Sequence, residues 1–233
     1  PEGTVLLAER QTAGRGRLGR RWLDHPGGSV LCSILFRPRA ELPPERWFLV
    51  PALVSLSAVE ACSEAAGVEC GCKWPNDLVA RRDGRKVAGV LSEVSSRGAG
   101  AEAALVVGIG INCNWPGDHP PAGDPEIEEI ASGATSLGLL ARSPVDRDAV
   151  ASVMLRGVGR RWQALVEDGP RVERALLSEY RSKCATIGRL IKVDVADELL
   201  IGRALDVDDS GRLLVDVGAC VRTIDAGDVV HVR

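Results

Sequence analysis

The nine residues from Gly14 to Trp22 read Gly-Arg-Gly-Arg-Leu-Gly-Arg-Arg-Trp and place four arginines among three glycines. Glycines let backbone amides come close to a ligand, and each guanidinium presents a planar fork of donors that matches carboxylate and phosphate oxygens. The stretch therefore predicts a loop that binds an anion. The alternative is a solvated basic loop, because runs of like charge usually face water.

The same stretch contains the Gly-x-Gly-x-x-Gly pattern of dinucleotide-binding folds at Gly14, Gly16 and Gly19. That pattern needs a preceding strand, a helix that opens inside it and an acidic residue about 20 positions later. Residues 22–28 read Trp-Leu-Asp-His-Pro-Gly-Gly, which no helix tolerates, and the region of the required acid reads Phe-Arg-Pro-Arg at 36–39. The sequence therefore argues against a dinucleotide-binding fold.

Short apolar runs bounded by glycine and proline predict the strands of the first part of the chain. They lie at residues 5–9, 29–36, 68–74, 78–80, 86–94 and 103–112. The tetrapeptide Arg-Asp-Gly-Arg at 82–85 predicts a hairpin turn between two of them. Residues 114–124, rich in proline and glycine, predict a long loop of the kind that often covers a binding site.

Helices are predicted at three places. Residues 45–66 carry leucines at intervals of three and four, Gly67 follows as a C-cap, and Pro51 is expected to mark the start of the helix or a kink. The other two helices are predicted at 145–167 and 171–183. Beyond them the sequence changes to short strands separated by turns, at 190–195, 201–207, 213–217, 221–224 and 229–232. An α/β unit followed by a small β-barrel is the predicted order.

Composition limits the kinds of partner. The 233 residues carry a formal net charge of −3, which argues against a general nucleic-acid surface and makes the arginine loop a local feature. Seven cysteines include one close pair, Cys70 and Cys72, too tight for the usual zinc spacing, so reduced and mostly buried thiols are predicted. With no apolar run of membrane-spanning length seen in the sequence, a cytoplasmic protein without a membrane partner is expected. Three scattered histidines leave few candidate bases for a nucleophilic triad.

Three further strings carry chemistry. Lys73-Trp74-Pro75-Asn76-Asp77-Leu78 offers a cation, an amide and a carboxylate on one tight turn, which suits a nucleotide with Mg²⁺ or, alternatively, a turn that caps its own backbone. Residues 86–93 begin with Lys86 and contain Gly89, where a ligand can reach the backbone; the alternative is a lysine that guards a sheet edge. Residues 108–114 end a strand with two glycines and two asparagines, and the glycines alone are also explained by packing.

Together the four strings resemble those of the biotin protein ligases, in that family's order and at roughly its spacing. The resemblance rests on residues 11–22, 73–78, 86–93 and 108–112 and covers essentially the whole chain. It implies an α+β fold: a catalytic domain of the biotin and lipoate ligase type, like that of class II aminoacyl-tRNA synthetases, with a mixed β-sheet over residues 1–186. A small SH3-like β-barrel over residues 187–233 follows.

The resemblance also implies a two-step reaction that uses ATP, biotin and Mg²⁺. The carboxylate of biotin attacks the α-phosphorus of ATP to give biotinyl-5'-AMP and pyrophosphate. A lysine of the biotin carboxyl carrier domain of acetyl-CoA carboxylase, or of a related carboxylase, then attacks this mixed anhydride. The sequence chemistry is compatible, because both ionic reactants are anions whose repulsion cations must suppress, and no histidine base is required.

The resemblance assigns roles to individual residues. Lys86 is the key catalytic cation at the biotin carboxylate, Arg17 faces the carboxylate or the phosphate, and Asp77 orients or deprotonates the incoming lysine and is the candidate Mg²⁺ ligand. The biotin-binding residues are Gln11, Gly14, Arg15, Gly16, Arg17, Lys86 and Gly89. The ATP-binding residues are Arg17, Arg20, Trp22, Lys73, Asn76 and Asn112. Arg20 is expected to reach the triphosphate and Trp22 to pack on the adenine, although a lone tryptophan is usually a core residue.

The sequence also departs from the family pattern. The family carries a Ser/Thr/Asn-rich biotin-binding element before the first strand, and that element is expected to be missing from this sequence. Some relatives carry an N-terminal helix-turn-helix and act as repressors; none is recognisable here, so no nucleic-acid partner is expected. A homodimer formed by pairing of sheet edges is left open. Two rival functions are a lipoate or octanoate ligase on the same fold and a non-catalytic module that binds nucleotide or carrier protein.

Overall fold

The computed structural model describes residues 1–38, 42–95, 103–115, 128, 132–195 and 198–232. Most of the predicted loop at 114–124 lies outside these residues. Within them the chain forms two antiparallel sheets and four α-helices. We retain the division at residues 186 and 187 as a proposal, supported by the fact that no described strand is shared by the two sheets.

The first sheet has six strands in the order β1-β2-β6-β5-β4-β3. They are β1 (Val5–Ala8), β2 (Ser29–Phe36), β3 (Cys70–Lys73), β4 (Asp77–Ala80), β5 (Lys86–Ser95) and β6 (Ala104–Asn112). All six predicted strands are confirmed, although β3 begins two residues later than predicted. The resemblance implied a mixed sheet, but the described strands pair antiparallel. Its parallel component is confined to isolated bridges, Cys72 with Cys184 and Lys86 with Ala134.

Helices cover one face of this sheet. They are α1 (Leu49–Ala66), α2 (Leu137–Ala141), α3 (Arg147–Glu167) and α4 (Gly169–Lys183). α1 buries eleven of its residues, and Gly67 ends it at φ 64°, as predicted. It begins four residues after the predicted start because residues 44–46 form a separate 3-10 turn. Pro51 lies in the first helical turn, where its missing N–H costs no intrahelical hydrogen bond.

One expectation from composition is wrong. Residues 44–66 form a helical segment that is long and apolar enough to cross a membrane by length and composition, whereas none was expected. The share of its apolar window that is buried inside the structure is 61%. α1 packs against α3, α4 and the sheet, so its apolar side chains belong to the core of this domain.

The second sheet has five strands in the order β10-β9-β8-β7-β11. They are β7 (Leu190–Val195), β8 (Glu198–Val207), β9 (Leu213–Asp216), β10 (Val221–Ile224) and β11 (Asp228–His231). All five predicted strands are confirmed, with shifts of up to three residues at their ends. This small unit is filled by buried apolar residues, which are Ile191, Val193, Ala204, Val207, Leu213 and Val215.

Trp74 joins the two sheets. Its backbone N–H donates to Thr186 Oγ1 at 3.1 Å, and its indole Nε1 donates to Gly211 O at 2.9 Å. Thr186 is fully buried and also lies 3.2 Å from His231 Nε2 in β11. These contacts fix the second sheet against the Lys-Trp-Pro-Asn-Asp turn, which connects β3 to β4.

The burial of His231 predicts a pH-dependent stability. Desolvation, followed by the charges of Lys73 and Arg189, lowers its pKa to about 4 from an ordinary value of 6.5. Between pH 4 and pH 6.5, the imidazole therefore binds a proton in the unfolded chain but not in the folded one. The free energy of unfolding falls as the pH falls from 6.5 towards 4. Because the ring is only half-buried, we expect a loss of about 1 kcal/mol between pH 7 and pH 5.

Urea unfolding of the protein and of His231→Gln at pH 7, 6 and 5 measures this effect. The free energy of unfolding of the native protein should fall relative to that of the variant, which lacks the titrating ring. Equal slopes for the two proteins contradict the prediction.

Candidate functional site

The arginine-rich loop folds as a narrow hairpin. Gly16 N donates to Arg20 O at 2.7 Å and Trp22 N donates to Gly14 O at 3.0 Å. A Cβ on Gly14 would lie 2.5 Å from Trp22 O, so this position requires glycine for close approach of two backbones. Gly14 therefore has a structural role in the hairpin, and its predicted contact with biotin stays a prediction.

The tip of the hairpin is a 3-10 turn at residues 17–19. Leu18 and Gly19 have φ values of 55° and 73°, and Leu18 is 74% exposed. No helix follows the loop, in agreement with the argument against a dinucleotide-binding fold. The tip directs Arg17 and Arg20 towards the second sheet, as the contacts below show.

Gly89 and Gly110 lie opposite each other on β5 and β6, and the Trp22 ring covers both. A Cβ on Gly110 would lie 2.5 Å from Trp22 Cε2, and one on Gly89 would lie 3.0 Å from Trp22 Cζ3. We call this glycine pair the glycine floor. The space above Gly89, predicted to admit a ligand, is occupied here by the indole and by the Lys86 ammonium, 3.2 Å from that Cβ position. Trp22 Nε1 is buried and has no hydrogen-bond partner among the described residues.

Lys86 and Asp77 form an ion pair beside the glycine floor. Lys86 Nζ lies 2.6 Å from Asp77 Oδ1 and 5.6 Å from the centroid of the Trp22 ring. Asp77 Oδ1 lacks the angular geometry of a directed hydrogen bond, so charge attraction holds this contact. β5 lies between β4 and β6 in the sheet, which excludes the alternative that Lys86 guards a sheet edge.

Asn76 connects the Lys-Trp-Pro-Asn-Asp turn to β5 and to the arginine loop. Its Nδ2 donates to Val90 O at 2.9 Å, and its Oδ1 accepts from Arg17 Nη1 at 3.3 Å. Arg17 Nη1 also lies 3.4 Å from Gly227 O, which accepts from it. The Asn76 side chain therefore bonds outside its own turn, in contrast to the alternative of a turn that caps itself.

Asn112 ends β6 inside the same cleft and is 3% exposed. Its Nδ2 donates to Thr135 O at 3.1 Å, while its Oδ1 is buried and has no partner among the described residues. An unpartnered buried carbonyl is costly unless a ligand donor or water meets it. Asn114, by contrast, closes a loop by exchanging two hydrogen bonds of 2.9 Å with the backbone of Val145.

Two acidic residues that the sequence did not single out lie at the arginines. Arg15 Nη2 donates to Glu93 Oε2 at 3.1 Å, and Arg20 binds Asp228 through both guanidinium Nη atoms, with one bond of 3.2 Å. The Arg20 hydrogen bond and charge lower the pKa of Asp228, with smaller contributions from Lys73 and Arg17. Burial lowers the pKa of Lys73, against the opposing charges of Asp77 and Asp228.

These groups surround one cleft of about 800 Å³. Its lining includes every predicted site residue except Gly14, namely Gln11, Arg15, Gly16, Arg17, Arg20, Trp22, Lys73, Asn76, Asp77, Lys86, Gly89 and Asn112. It also includes Cys32, but burial raises the pKa of that thiol to about 11, which makes it a poor nucleophile. The cleft is therefore suited to holding anions on fixed cations rather than to covalent catalysis.

A metal ion in the cleft would have few carboxylates as ligands. Among the described residues there is no group of three or more His, Cys, Asp or Glu side chains that could hold a metal ion. The carboxylates in the cleft belong to Asp77, Glu93 and Asp228, and each is paired with a cation. Mg²⁺ commonly uses one or two protein carboxylates together with substrate phosphates, so Asp77 fits as a single ligand for a nucleotide-borne ion.

Comparison with known proteins identifies the family. Residues 1–112 match the model of the biotin/lipoate A/B protein ligase family, and residues 186–232 match the biotin protein ligase C terminal domain. The chain is 35% identical to a biotin--[acetyl-CoA-carboxylase] ligase of Mycobacterium tuberculosis, over all of this chain and 80% of that protein. The chain belongs to the biotin protein ligase family. This result confirms the resemblance drawn from the four strings.

Solved structures of the family share the fold. The biotin protein ligase of Aquifex aeolicus in complex with biotin and ATP superimposes with a TM-score of 0.80 at 30% identity, over all of this chain and 90% of that one. A further relative is the bifunctional ligase/repressor BirA of Bacillus subtilis, 31% identical over 98% of this chain and 66% of that protein. The predicted α+β fold with a small C-terminal β-unit is thereby confirmed. The prediction that this chain binds no nucleic acid stays a prediction.

Proposed function

We propose that this chain is an ATP-dependent biotin protein ligase, which forms biotinyl-5'-AMP and transfers biotin to a lysine of a biotin carboxyl carrier domain. The observation that carries the proposal is the convergence of Lys86, Arg17, Arg20 and Lys73 on one cleft next to the glycine floor. Two anionic substrates must meet there, and fixed cations lower the cost of bringing them together. Family membership supports the same reading.

In the proposed binding mode, the two ends of the cleft serve different substrates. Gln11, Arg15 and Gly16 hold biotin at the arginine loop, and Lys86 receives its carboxylate. Arg20 and Lys73 bind the triphosphate, while Arg17 contacts the biotin carboxylate or the phosphate. Asn76 and Asn112 contact the adenine, for which the unpartnered Oδ1 of Asn112 offers an acceptor to an amino group.

In the first step, a carboxylate oxygen of biotin bonds to the α-phosphorus of ATP and the bond to the pyrophosphate oxygen breaks. Lys86 and Arg17 stabilise the charge that spreads over the phosphoryl oxygens, and Arg20 and Lys73 stabilise the departing pyrophosphate. In the second step, the neutral amine of the carrier lysine attacks the biotinyl carbonyl carbon and AMP leaves. Asp77 accepts the proton that the amine loses. Bound Mg²⁺ supplies charge neutralisation at the phosphates, with Asp77 as its proposed protein ligand.

The rival lipoate or octanoate ligase is tested by pyrophosphate exchange. ATP labelled from pyrophosphate is expected with biotin and not with lipoate or octanoate, because the arginine loop and Gly89 are assigned to biotin. Exchange that only lipoate or octanoate supports makes the biotin assignment wrong. If none of the three acids supports exchange, the non-catalytic binding module becomes the better interpretation.

The proposed protein partner is a biotin carboxyl carrier protein or domain, and mass spectrometry of such a domain after incubation with biotin, ATP and Mg²⁺ detects the transfer. We also place the protein in the cytoplasm, because six of its seven free cysteines are buried thiols, which suits a reducing compartment. A homodimer formed by pairing of sheet edges stays a proposal.

A further inference from the structure

The second sheet contributes one carboxylate to the cleft, that of Asp228 at the first position of β11. It accepts hydrogen bonds from both Nη atoms of Arg20, and its side chain remains 37% exposed. The residue before it, Gly227, accepts a hydrogen bond from Arg17 through its carbonyl oxygen. The start of β11 therefore contacts the two arginines that the proposed mechanism assigns to phosphate.

Asp228 lies within a set of cations rather than beside a single one. Arg20, Lys73 and Arg17 all favour its ionised form, in that order of effect. A guanidinium uses the same two-pronged geometry for a carboxylate as for a phosphate. The Asp228 carboxylate thus stands at the cation cluster in the position and with the charge expected of a bound phosphate.

From this geometry we propose that Asp228 is an internal competitor of the nucleotide, which occupies the triphosphate-binding cations until ATP displaces it. The inference rests on the proposed function and adds a regulatory contact between the two sheets. Because coupling is reciprocal, triphosphate binding releases Arg20 from β11 and loosens the hold of the second sheet on the arginine loop. Departure of pyrophosphate lets Asp228 bind Arg20 again.

Replacement Asp228→Asn tests this competition, because it removes the charge and keeps the shape. The expected result is a dissociation constant for inorganic triphosphate, measured by calorimetry, about five-fold lower than that of the unmodified protein. This factor corresponds to about 1 kcal/mol, the upper end of the range for an exposed ion pair. The KM for ATP should fall by a similar factor, while the KM for biotin stays within about two-fold. Triphosphate binding needs no catalysis, so this readout holds even if the biotin ligase assignment fails.

Asp225→Asn is the matched control. Asp225 is 81% exposed, lies three residues earlier, and has its nearest cation, Arg212, at 4.0 Å. Its removal makes the same change in net charge outside the cleft and should leave triphosphate affinity unchanged. Equal tightening in both variants would show a general charge effect and overturn the proposal.

Two other results overturn it as well. Weaker triphosphate binding by Asp228→Asn both in the absence and in the presence of Mg²⁺ would mean that Asp228 positions Arg20 for phosphate instead of competing. Weakening seen only in the presence of Mg²⁺ would mean that Asp228 holds the metal ion. Tighter binding in Asp228→Asn alone, in both conditions, is the result that the competition predicts.

Discussion

Replacement of Lys86 by alanine is expected to lower kcat/KM for biotin-dependent pyrophosphate exchange by at least about 100-fold, the usual effect of removing a preorganised group from a developing charge. Lys86 is placed by β5 in the interior of the sheet, and its ammonium reaches into the cleft 2.6 Å from Asp77. Without it, the biotin carboxylate approaches the triphosphate and the Asp77 carboxylate with one cation fewer. Exchange kinetics at varied biotin and ATP concentrations measure the loss.

Lys86→Arg separates charge from geometry. The Lys86 ammonium is compact and lies between the Trp22 ring and the Asp77 carboxylate. Because a guanidinium is planar and larger than an ammonium, arginine should restore little of the activity. Lys192→Ala removes an exposed lysine from β7, outside the cleft lining, and should retain full activity. Thermal unfolding of all three variants shows whether the fold is intact. Near-normal exchange by a folded Lys86→Ala protein would make the proposed role of Lys86 wrong.

Much of the fold could be predicted from the sequence because its signals are local. Apolar runs, turn tetrapeptides and a C-cap glycine are read within a few residues, and the strands of both sheets fall where these signals placed them. The errors follow the same logic. α2 was missed because its five residues are too few to show a repeating apolar pattern. The start of α1 was misplaced because a 3-10 turn precedes it.

The candidate site was predictable as a set of residues but not as a set of contacts. The resemblance brought together twelve residues that now line one cleft, yet it gave no sign of Asp228, which lies 208 positions from Arg20. Such a pair depends on how the second sheet docks, and that docking is fixed by Trp74 and Thr186, residues without an ionic signature. From the sequence, Gly110 was noted only as one glycine in the string that ends β6. Its importance comes from the strand register, which places it opposite Gly89.

That register leads to the second large effect. Gly110→Ala is expected to lower kcat/KM for pyrophosphate exchange by about 100-fold, because a shift of about 1 Å in a positioning group can cost that much. The added methyl would lie 2.5 Å from Trp22 Cε2 and even closer to Cζ2, so the indole has to move. Whether the indole or a ligand covers the glycine floor, a methyl group there removes the space that either one needs.

Gly108→Ala is the matched control, since Gly108 lies on the same strand and also lines the cleft. A Cβ at this position has its nearest neighbours, Leu91 O and Ser33 Oγ, at 3.7 Å, which is ordinary van der Waals contact. We expect Gly108→Ala to keep activity within about three-fold, less than the effect of a displaced positioning group. Both variants should unfold at nearly the temperature of the native protein. The hairpin that carries Trp22 is largely exposed, so the hairpin shifts to accommodate a methyl group while the sheet keeps its structure.

The comparison of the two alanines decides what the glycines do. If the two glycines only relieve packing within β6, Gly110→Ala should lower the free energy of unfolding, because its Cβ has the closer neighbours. The folded variant should then remain active. If Gly110 forms part of the floor beneath Trp22, activity should fall in a protein whose unfolding is unchanged. Equal activity of the two variants would remove the glycine floor from the site, and Trp22 would then be a packing residue of the hairpin, as a lone tryptophan usually is.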